Sequence, residues 1–252
     1  KRILRNSYDR YVSPETKVKL TDEQTAAVEK ISHAVTNNIN EIFLLQGITG
    51  SGKTEIYLHA ARKALDEGKQ VLMLVPEIAL TAQLVNRFQS WFGKEIAVAH
   101  SKLSQNERGD VFYKTRTGNA RILIGVRSAV FAPFENLGLI IIDEEHEGSY
   151  KQDERPNYHA RNVAQKRAEL SHCPLLLGSA TPDIETYHKA LIGSYTHLRL
   201  TKRPIGNKLP DVEIVDMRAE LNAKNFSVLS RSLQSKLVQT VAKGEQSIIL
   251  LN

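Results

Sequence analysis

The chain has 252 residues, 41% of them apolar and 25% charged, which is enough for one large or two small globular domains around a packed core. No apolar run approaches the ~18–20 residues needed to cross hydrocarbon, and no signal-peptide pattern opens the sequence. The single cysteine, Cys173, excludes an intramolecular disulfide or a cysteine-cage zinc site within these residues, a usage that fits a reducing cytoplasm. The net charge of +6 is uneven: residues 1–19 hold six Lys/Arg against two Asp/Glu, so an anionic partner has to be argued from individual sites.

Residues 1–18 lack apolar periodicity, contain Ser13-Pro14 and begin without methionine, which reads as a linker or N-terminal extension cut from a longer chain. From Leu20 onward, helix-like and strand-like segments alternate. Ala26, Ala27, Ile31 and Val35 predict a helix over 21–35, capped by Thr21 or Asp22. A strand over 42–46, a glycine-rich turn and a helix over 54–65 follow, then a buried-type strand over 71–75. The alternation continues through helix 79–92, strand 96–99, helix 104–117, strands 121–125 and 139–142, helix 158–170, strand 174–177, helix 183–191 and strand 195–198. Strands that are apolar throughout and separated by crossover helices predict an α/β fold, a parallel sheet of about six or seven strands with helices on both faces. Residues 201–210 are basic and contain Pro204, Gly206 and Pro210, which reads as a linker. Beyond it, a strand over 212–215, a helix over 230–242 and a strand over 247–251 are too few to bury a sheet. The expected organisation is an extension at 1–18, a complete unit at 19–200, and a linker with the incomplete start of a second unit at 201–252.

Gly47-Ile48-Thr49-Gly50-Ser51-Gly52-Lys53-Thr54 matches GxxxxGK followed by Thr, directly after a predicted strand and opening a predicted helix. Its glycines allow a tight loop of inward-pointing N–H groups at a helix N-terminus, where the dipole favours an anion. Lys53 would reach the β- and γ-phosphates of a nucleotide, and the Thr54 hydroxyl would ligate magnesium. Hydrolysis needs a carboxylate for the metal and a base for water. The run Leu139 to Ile142 leads into Asp143-Glu144-Glu145-His146 at the carboxyl edge of the sheet, where open α/β folds bind ligands. Asp143 would hold magnesium and Glu144 would orient or deprotonate water. Three adjacent acids tolerate ionisation beside cations, which magnesium and Lys53 would supply.

Beyond the predicted strand ends, Thr81 with Gln83 and Arg127 with Ser128 are placed to face a nucleic-acid backbone, contacts that position a strand without reading it. The alternative is ordinary helix capping for Thr81 and a structural surface arginine for Arg127. Residues 148–161 join Tyr150 and Tyr158 to Lys151, Arg155, His159 and Arg161, a mixture of stacking rings and phosphate-binding cations suited to single strands. Its alternative is a polar loop whose tyrosines pack on the fold.

The phosphate loop, the DEEH tetrad and Gly178-Ser179-Ala180-Thr181-Pro182 resemble motifs I, II and III of superfamily 2 helicases. GITGSGKTEIY at 47–57, VPEIAL at 75–80, IGVRSAVFAPF at 124–134, SYKQD at 149–153 and YHAR at 158–161 resemble more closely the PriA family of replication restart (primosomal protein N′) helicases, over most of residues 20–200. The resemblance implies a RecA-like P-loop NTPase followed by the truncated start of a second RecA-like lobe. It implies an ATP-dependent 3′→5′ DNA helicase that unwinds stalled or repaired forks and initiates primosome assembly, with ATP and Mg2+ as cofactors. Single-stranded and forked DNA, other primosome proteins and single-strand-binding proteins are the implied partners of the parent protein, in the bacterial cytoplasm at the nucleoid. Zinc is expected only in the parent's C-terminal part. By the same resemblance Gln24 recognises adenine, and His146 couples the nucleotide to Ser179 and Thr181, which sense the γ-phosphate. Residues 148–161 take the place of the family's aromatic-rich loop, which couples DNA to turnover. The alternatives are another superfamily 2 translocase, such as a restriction or repair motor, or a module that binds ATP and DNA without translocating. These residues alone are expected to turn ATP over feebly, because the second lobe completes the site.

Overall fold

The computed structural model describes residues 19–201 and 211–251, and these two stretches form two compact units. The expected extension at 1–18 and all but the first residue of the expected linker at 201–210 lie outside the described residues.

In the first unit the elements run α1 (Asp22–Thr36), β1 (Ile42–Gly47), α2 (Lys53–Asp66), β2 (Gln70–Leu74), α3 (Ala82–Phe92), β3 (Ile96–Ala99), α4 (Gln105–Arg116), β4 (Ile122–Gly125), β5 (Leu137–Ile142), β6 (Lys151–Gln152), β7 (Tyr158–His159), α5 (Ala160–Leu170), β8 (Leu175–Ser179), α6 (Ile184–Leu191) and β9 (Thr196–Leu200). Seven strands form one parallel sheet in the order β3-β4-β2-β5-β8-β1-β9. Alternate residues of each strand feed opposite layers. Phe43, Leu45 and Ile141 pack with Ile31 of α1, Ala61 of α2 and Phe88 of α3, while Leu44, Ile140 and Ile142 pack with Ala160, Ala164 and Ala168 of α5. Both faces are therefore dry, which is why the strands read as unbroken apolar runs.

Because β8 lies between β1 and β5, the loops that leave these three strands meet at one carboxyl edge. Those loops carry the glycine-rich turn, the DEEH tetrad and the GSATP segment. Helix α1 begins with a capping box: Thr21 Oγ1 accepts from Gln24 N at 3.3 Å, and Thr21 N donates to Gln24 Oε1 at 2.9 Å.

Two expectations are corrected. The helix predicted to begin at Tyr158 begins at Ala160, because Tyr158 and His159 pair antiparallel with Gln152 and Lys151 in a short hairpin. In the second unit, the strands predicted over 212–215 and 247–251 do not form. Val212, Ile214, Ile248 and Leu250 are exposed, and no ladder partner is present among the described residues. That unit instead holds α7 (Met217–Asn222) and α8 (Arg231–Ala242), with Ser230 capping α8 and Asn225 donating to Glu220 Oε2 and to the carbonyl of Leu229.

Ile141 is fully buried near the carboxyl end of the central strand β5. Ile141→Ala should lower the unfolding free energy of the first unit by about 3–4 kcal/mol, read in urea as a lower midpoint at unchanged slope.

Candidate active site

The loop from Gly47 to Thr54 is shaped by three glycines. Gly50 and Gly52 adopt φ of +80° and +85°, a left-handed backbone open to residues without a side chain. A Cβ on Gly47 would sit 2.4 Å from Ser51 Oγ. Lys53 is buried at the start of α2 and turns its ammonium inward, donating to the carbonyl of Gly47 at 2.9 Å. Inside the same loop Ser51 Oγ is buried without a hydrogen-bond partner. A buried lysine, an unsatisfied hydroxyl and a helix N-terminus at a glycine turn fit the phosphates of a nucleotide.

Gln24, which the resemblance assigns to adenine, is buried against this loop. Its Nε2 donates to the carbonyl of Ser51 at 2.9 Å, while its Oε1 closes the α1 capping box. A buried carboxamide has to satisfy both ends. Here both ends serve the protein, and Gln24 is a strut beneath the loop.

Across the sheet edge, Asp143 continues β5 and donates its N–H to the carbonyl of Leu74 at 2.9 Å. Its Oδ1 accepts from Tyr57 Oη at 2.8 Å and from the N–H of Glu144 at 3.1 Å. The hydroxyl of Tyr150 donates to its carbonyl at 2.6 Å. Burial raises the pKa of Asp143, and the bond from Tyr57 opposes that shift. Burial pushes both phenols up as well, so they remain protonated donors. Glu144 has φ of +45°, a left-handed conformation that costs a side-chain-bearing residue about 1–2 kcal/mol. Its carboxylate lies 3.8 Å from Lys53 Nζ and 3.7 Å from His146 Nδ1. Among the described residues no group of three His, Cys, Asp or Glu is arranged to hold a metal. A magnesium ion commonly takes most of its ligands from phosphate and water, so it would need only Thr54 and Asp143 from this chain.

The third acid departs from expectation. Glu145 does not face Lys53; it is buried, accepting from Arg161 Nη1 at 2.7 Å and Thr186 Oγ1 at 3.0 Å on Oε2, and from the N–H of Asp183 at 2.8 Å on Oε1. Every oxygen of this carboxylate is used, which is what makes its burial tolerable. His146 stays near the surface, with Nδ1 at 2.8 Å from Ser179 Oγ and Nε2 at 3.5 Å from Thr181 Oγ1. The structure thus brings Lys53, Thr54, Asp143, Glu144, His146, Ser179 and Thr181 to one edge.

Several residues expected on the DNA side have other work. Tyr150 is buried in the core layer under α5 and is not a stacking surface. Arg161 is spent on Glu145. His159 caps α5, its Nδ1 accepting from the N–H of Arg161 at 3.2 Å, and burial with the nearby arginine lowers its pKa, so it is a neutral acceptor. Arg127 donates through Nη1 to the carbonyls of Ser149 and Lys151, pinning the loop that follows the DEEH tetrad. Thr81 caps α3, accepting from Leu84 N at 3.3 Å, and is exposed with Gln83 and Ser128. Lys151 is exposed beside Asp153 at 2.9 Å, and Tyr158 is half-buried with its ring edge-on to Phe131 at 4.9 Å. Sequence reasoning missed Tyr57, Thr186 and the burial of Glu145. The available signal for Tyr57 was its place four residues after Lys53, on the same face of α2.

A profile of the DEAD/DEAH box helicase family matches residues 21–190, and the chain belongs to that family. It is similar to the replication restart protein PriA of Bacillus subtilis, with 51% identity over 251 residues, 99% of this chain and 31% of that protein. PriA of Synechocystis is 51% identical over 214 residues, 83% of this chain and 26% of that protein. The chain thus spans less than a third of the length of these relatives. Among solved structures, RecG bound to a three-way DNA junction superposes with a TM-score of 0.63 at 25% identity, covering 84% of this chain and 28% of that one. The Hef helicase domain of Pyrococcus furiosus shares the fold with a TM-score of 0.55 at 20% identity, over 76% of this chain and 40% of that one. The first unit is a RecA-like α/β fold.

Arg161→Met strands the buried carboxylate of Glu145 and should cost about 3–5 kcal/mol of unfolding free energy; adding Glu145→Gln should recover a large part, both read by urea denaturation. The depressed pKa of His159 has a definite sign. Its contribution to stability is complete above the ordinary histidine value, about 6.5, and is lost as pH falls below it, because the unfolded chain then takes up a proton that the folded one refuses. His159→Asn keeps a capping acceptor that does not titrate. Between about pH 7.5 and 5.5 the stability of wild type should therefore fall relative to this variant, and parallel curves would refute a neutral histidine cap.

Proposed function

We propose that the chain is the ATP-binding motor lobe of an ATP-dependent 3′→5′ DNA helicase of the PriA kind, which opens stalled or repaired forks and initiates primosome assembly. In this reading residues 1–18 are a linker or extension, 19–200 form the first motor lobe, and 201–252 are a linker and the beginning of the second. The observation that carries it is the meeting of the phosphate loop with the DEEH tetrad at one sheet edge, with Lys53 Nζ 3.8 Å from Glu144. The 51% identity to PriA over nearly the whole chain, against 25% to RecG, favours a replication restart motor over a repair translocase.

The chemistry follows from the placement of the groups. The loop N–H groups and Lys53 bind the β- and γ-phosphates, and Ser51 Oγ has a hydrogen bond to give. Thr54 and Asp143 would hold Mg2+, which when bound neutralises charge on the phosphoryl oxygens. Glu144, bent back by its left-handed backbone, orients the attacking water or accepts its proton. Turnover is relayed from Glu144 through His146 to Ser179 and Thr181. A second relay runs through the loop after the tetrad, since Tyr150 grips the Asp143 carbonyl and Arg161 grips Glu145. Thr81, Gln83, Ser128, Lys151 and Tyr158 meet the DNA, while Arg127, His159 and Arg161 shape the surface that receives it. In the parent protein the partners are single-stranded and forked DNA, primosome proteins and single-strand-binding protein, in the bacterial cytoplasm, with zinc held by the C-terminal part.

In the full-length protein, Lys53→Ala and Asp143→Ala should each lower DNA-stimulated ATP hydrolysis by on the order of 100-fold or more; unchanged turnover in both would reject the site. Residues 1–252 alone should bind ATP and hydrolyse it feebly with or without single-stranded DNA. Strong stimulation of that fragment would show that the second lobe does not complete the site.

A further inference from the structure

We propose that Tyr57 is a positioning residue for the magnesium-binding aspartate, a role that rests on reading the sheet edge as a nucleotide site. Tyr57 is fully buried on α2, the helix that begins at Lys53, and its hydroxyl donates to Asp143 Oδ1 at 2.8 Å. The second bond to this carboxylate, from the N–H of Glu144, falls on the same oxygen. Asp143 Oδ1 is therefore committed to the protein, and Oδ2 is the oxygen left for a cation. The phenol has little freedom to do anything else. Beneath it lies Gly178 on β8, where a Cβ would come within 1.7 Å of the hydroxyl oxygen and 2.9 Å of the ring carbon that bears it. The absence of a side chain at Gly178 makes the space in which the hydroxyl sits.

The arrangement joins three segments through one ring. The helix of the phosphate loop supplies the phenol, β8 supplies the gap ahead of Ser179, and β5 presents the carboxylate. Groups that hydrogen-bond a metal ligand from outside fix its orientation, and losing one commonly weakens metal binding by 10- to 100-fold. Packing alone does not explain the hydroxyl, because phenylalanine would fill the same apolar layer.

The test uses the full-length protein and a fluorescent ATP analogue, titrated with and without Mg2+. Tyr57→Phe keeps the ring and removes the donor. Gly178→Ala keeps the donor and denies it its place. Each variant should lower the ratio of Mg2+-bound to Mg2+-free nucleotide affinity by roughly 10-fold. If a folded variant, judged by its melting temperature, keeps the wild-type ratio, or loses affinity equally with and without Mg2+, Tyr57 serves packing alone and the proposal is overturned. Should Tyr57→Phe not fold, Gly178→Ala decides by the same ratio. A wild-type protein whose nucleotide affinity ignores Mg2+ would overturn the nucleotide reading together with this one, whereas a normal wild type with an unaffected folded variant overturns this one alone.

Discussion

The register between β8 and its two neighbours is the constraint on which the site depends. Gln46 pairs with Ser179 and Ile142 with Leu177, so the phosphate loop, the GSATP segment and the DEEH tetrad leave the sheet at nearly one level. The N–H of Glu145 extends this pairing to the carbonyl of Gly178 at 3.0 Å. A slip of one residue would turn every side chain of β8 to the other face. It would bury the wrong alternation and carry Ser179 away from His146. The two dry layers that read as apolar runs therefore also set the spacing of the chemistry.

Upon that frame the DEEH acids are given three different environments. Asp143 is mostly buried and held by phenols at its side chain and its carbonyl. Glu144 is half-buried and turned back by its backbone toward a lysine and a histidine. Glu145 is enclosed and fully satisfied, tying the end of β5 to the first turns of α5 and α6. Strand alternation alone would set Asp143 and Glu145 on one face, but both lie in the turn that follows β5. The residue between them takes a left-handed bend.

Much of the sheet and the whole of the phosphate loop were legible in the sequence, because apolar runs and glycine spacing are local signals. The outer limits of that legibility have physical causes. Tyr150 and Arg161 carry the chemistry of nucleic-acid contacts, but a ring or a guanidinium is equally at home inside when a carbonyl or a carboxylate waits there. Those partners, Asp143 and Glu145, come from another strand end, and nothing local to 148–161 announces them. The helix start at Ala160 was hidden by a two-residue hairpin too short for alternation to register. Residues 212–215 and 247–251 have strand-like composition, and composition does not supply the neighbouring ladder that a strand requires. Tyr57 was passed over because an aromatic residue on the inner face of a helix reads as core, and its spacing from Lys53 gains meaning only once Asp143 is seen beside its hydroxyl.

The carboxamide of Gln24 has a mechanical consequence. With one end it closes the first turn of α1, and with the other it carries the backbone of Ser51. Helix ends fray more readily than any other part of a helix, but this end cannot open without releasing the loop. Opening the first turn of α1 would therefore take from the phosphate loop one hydrogen bond, worth about 1 kcal/mol. The start of α1 thus lends the loop part of its support.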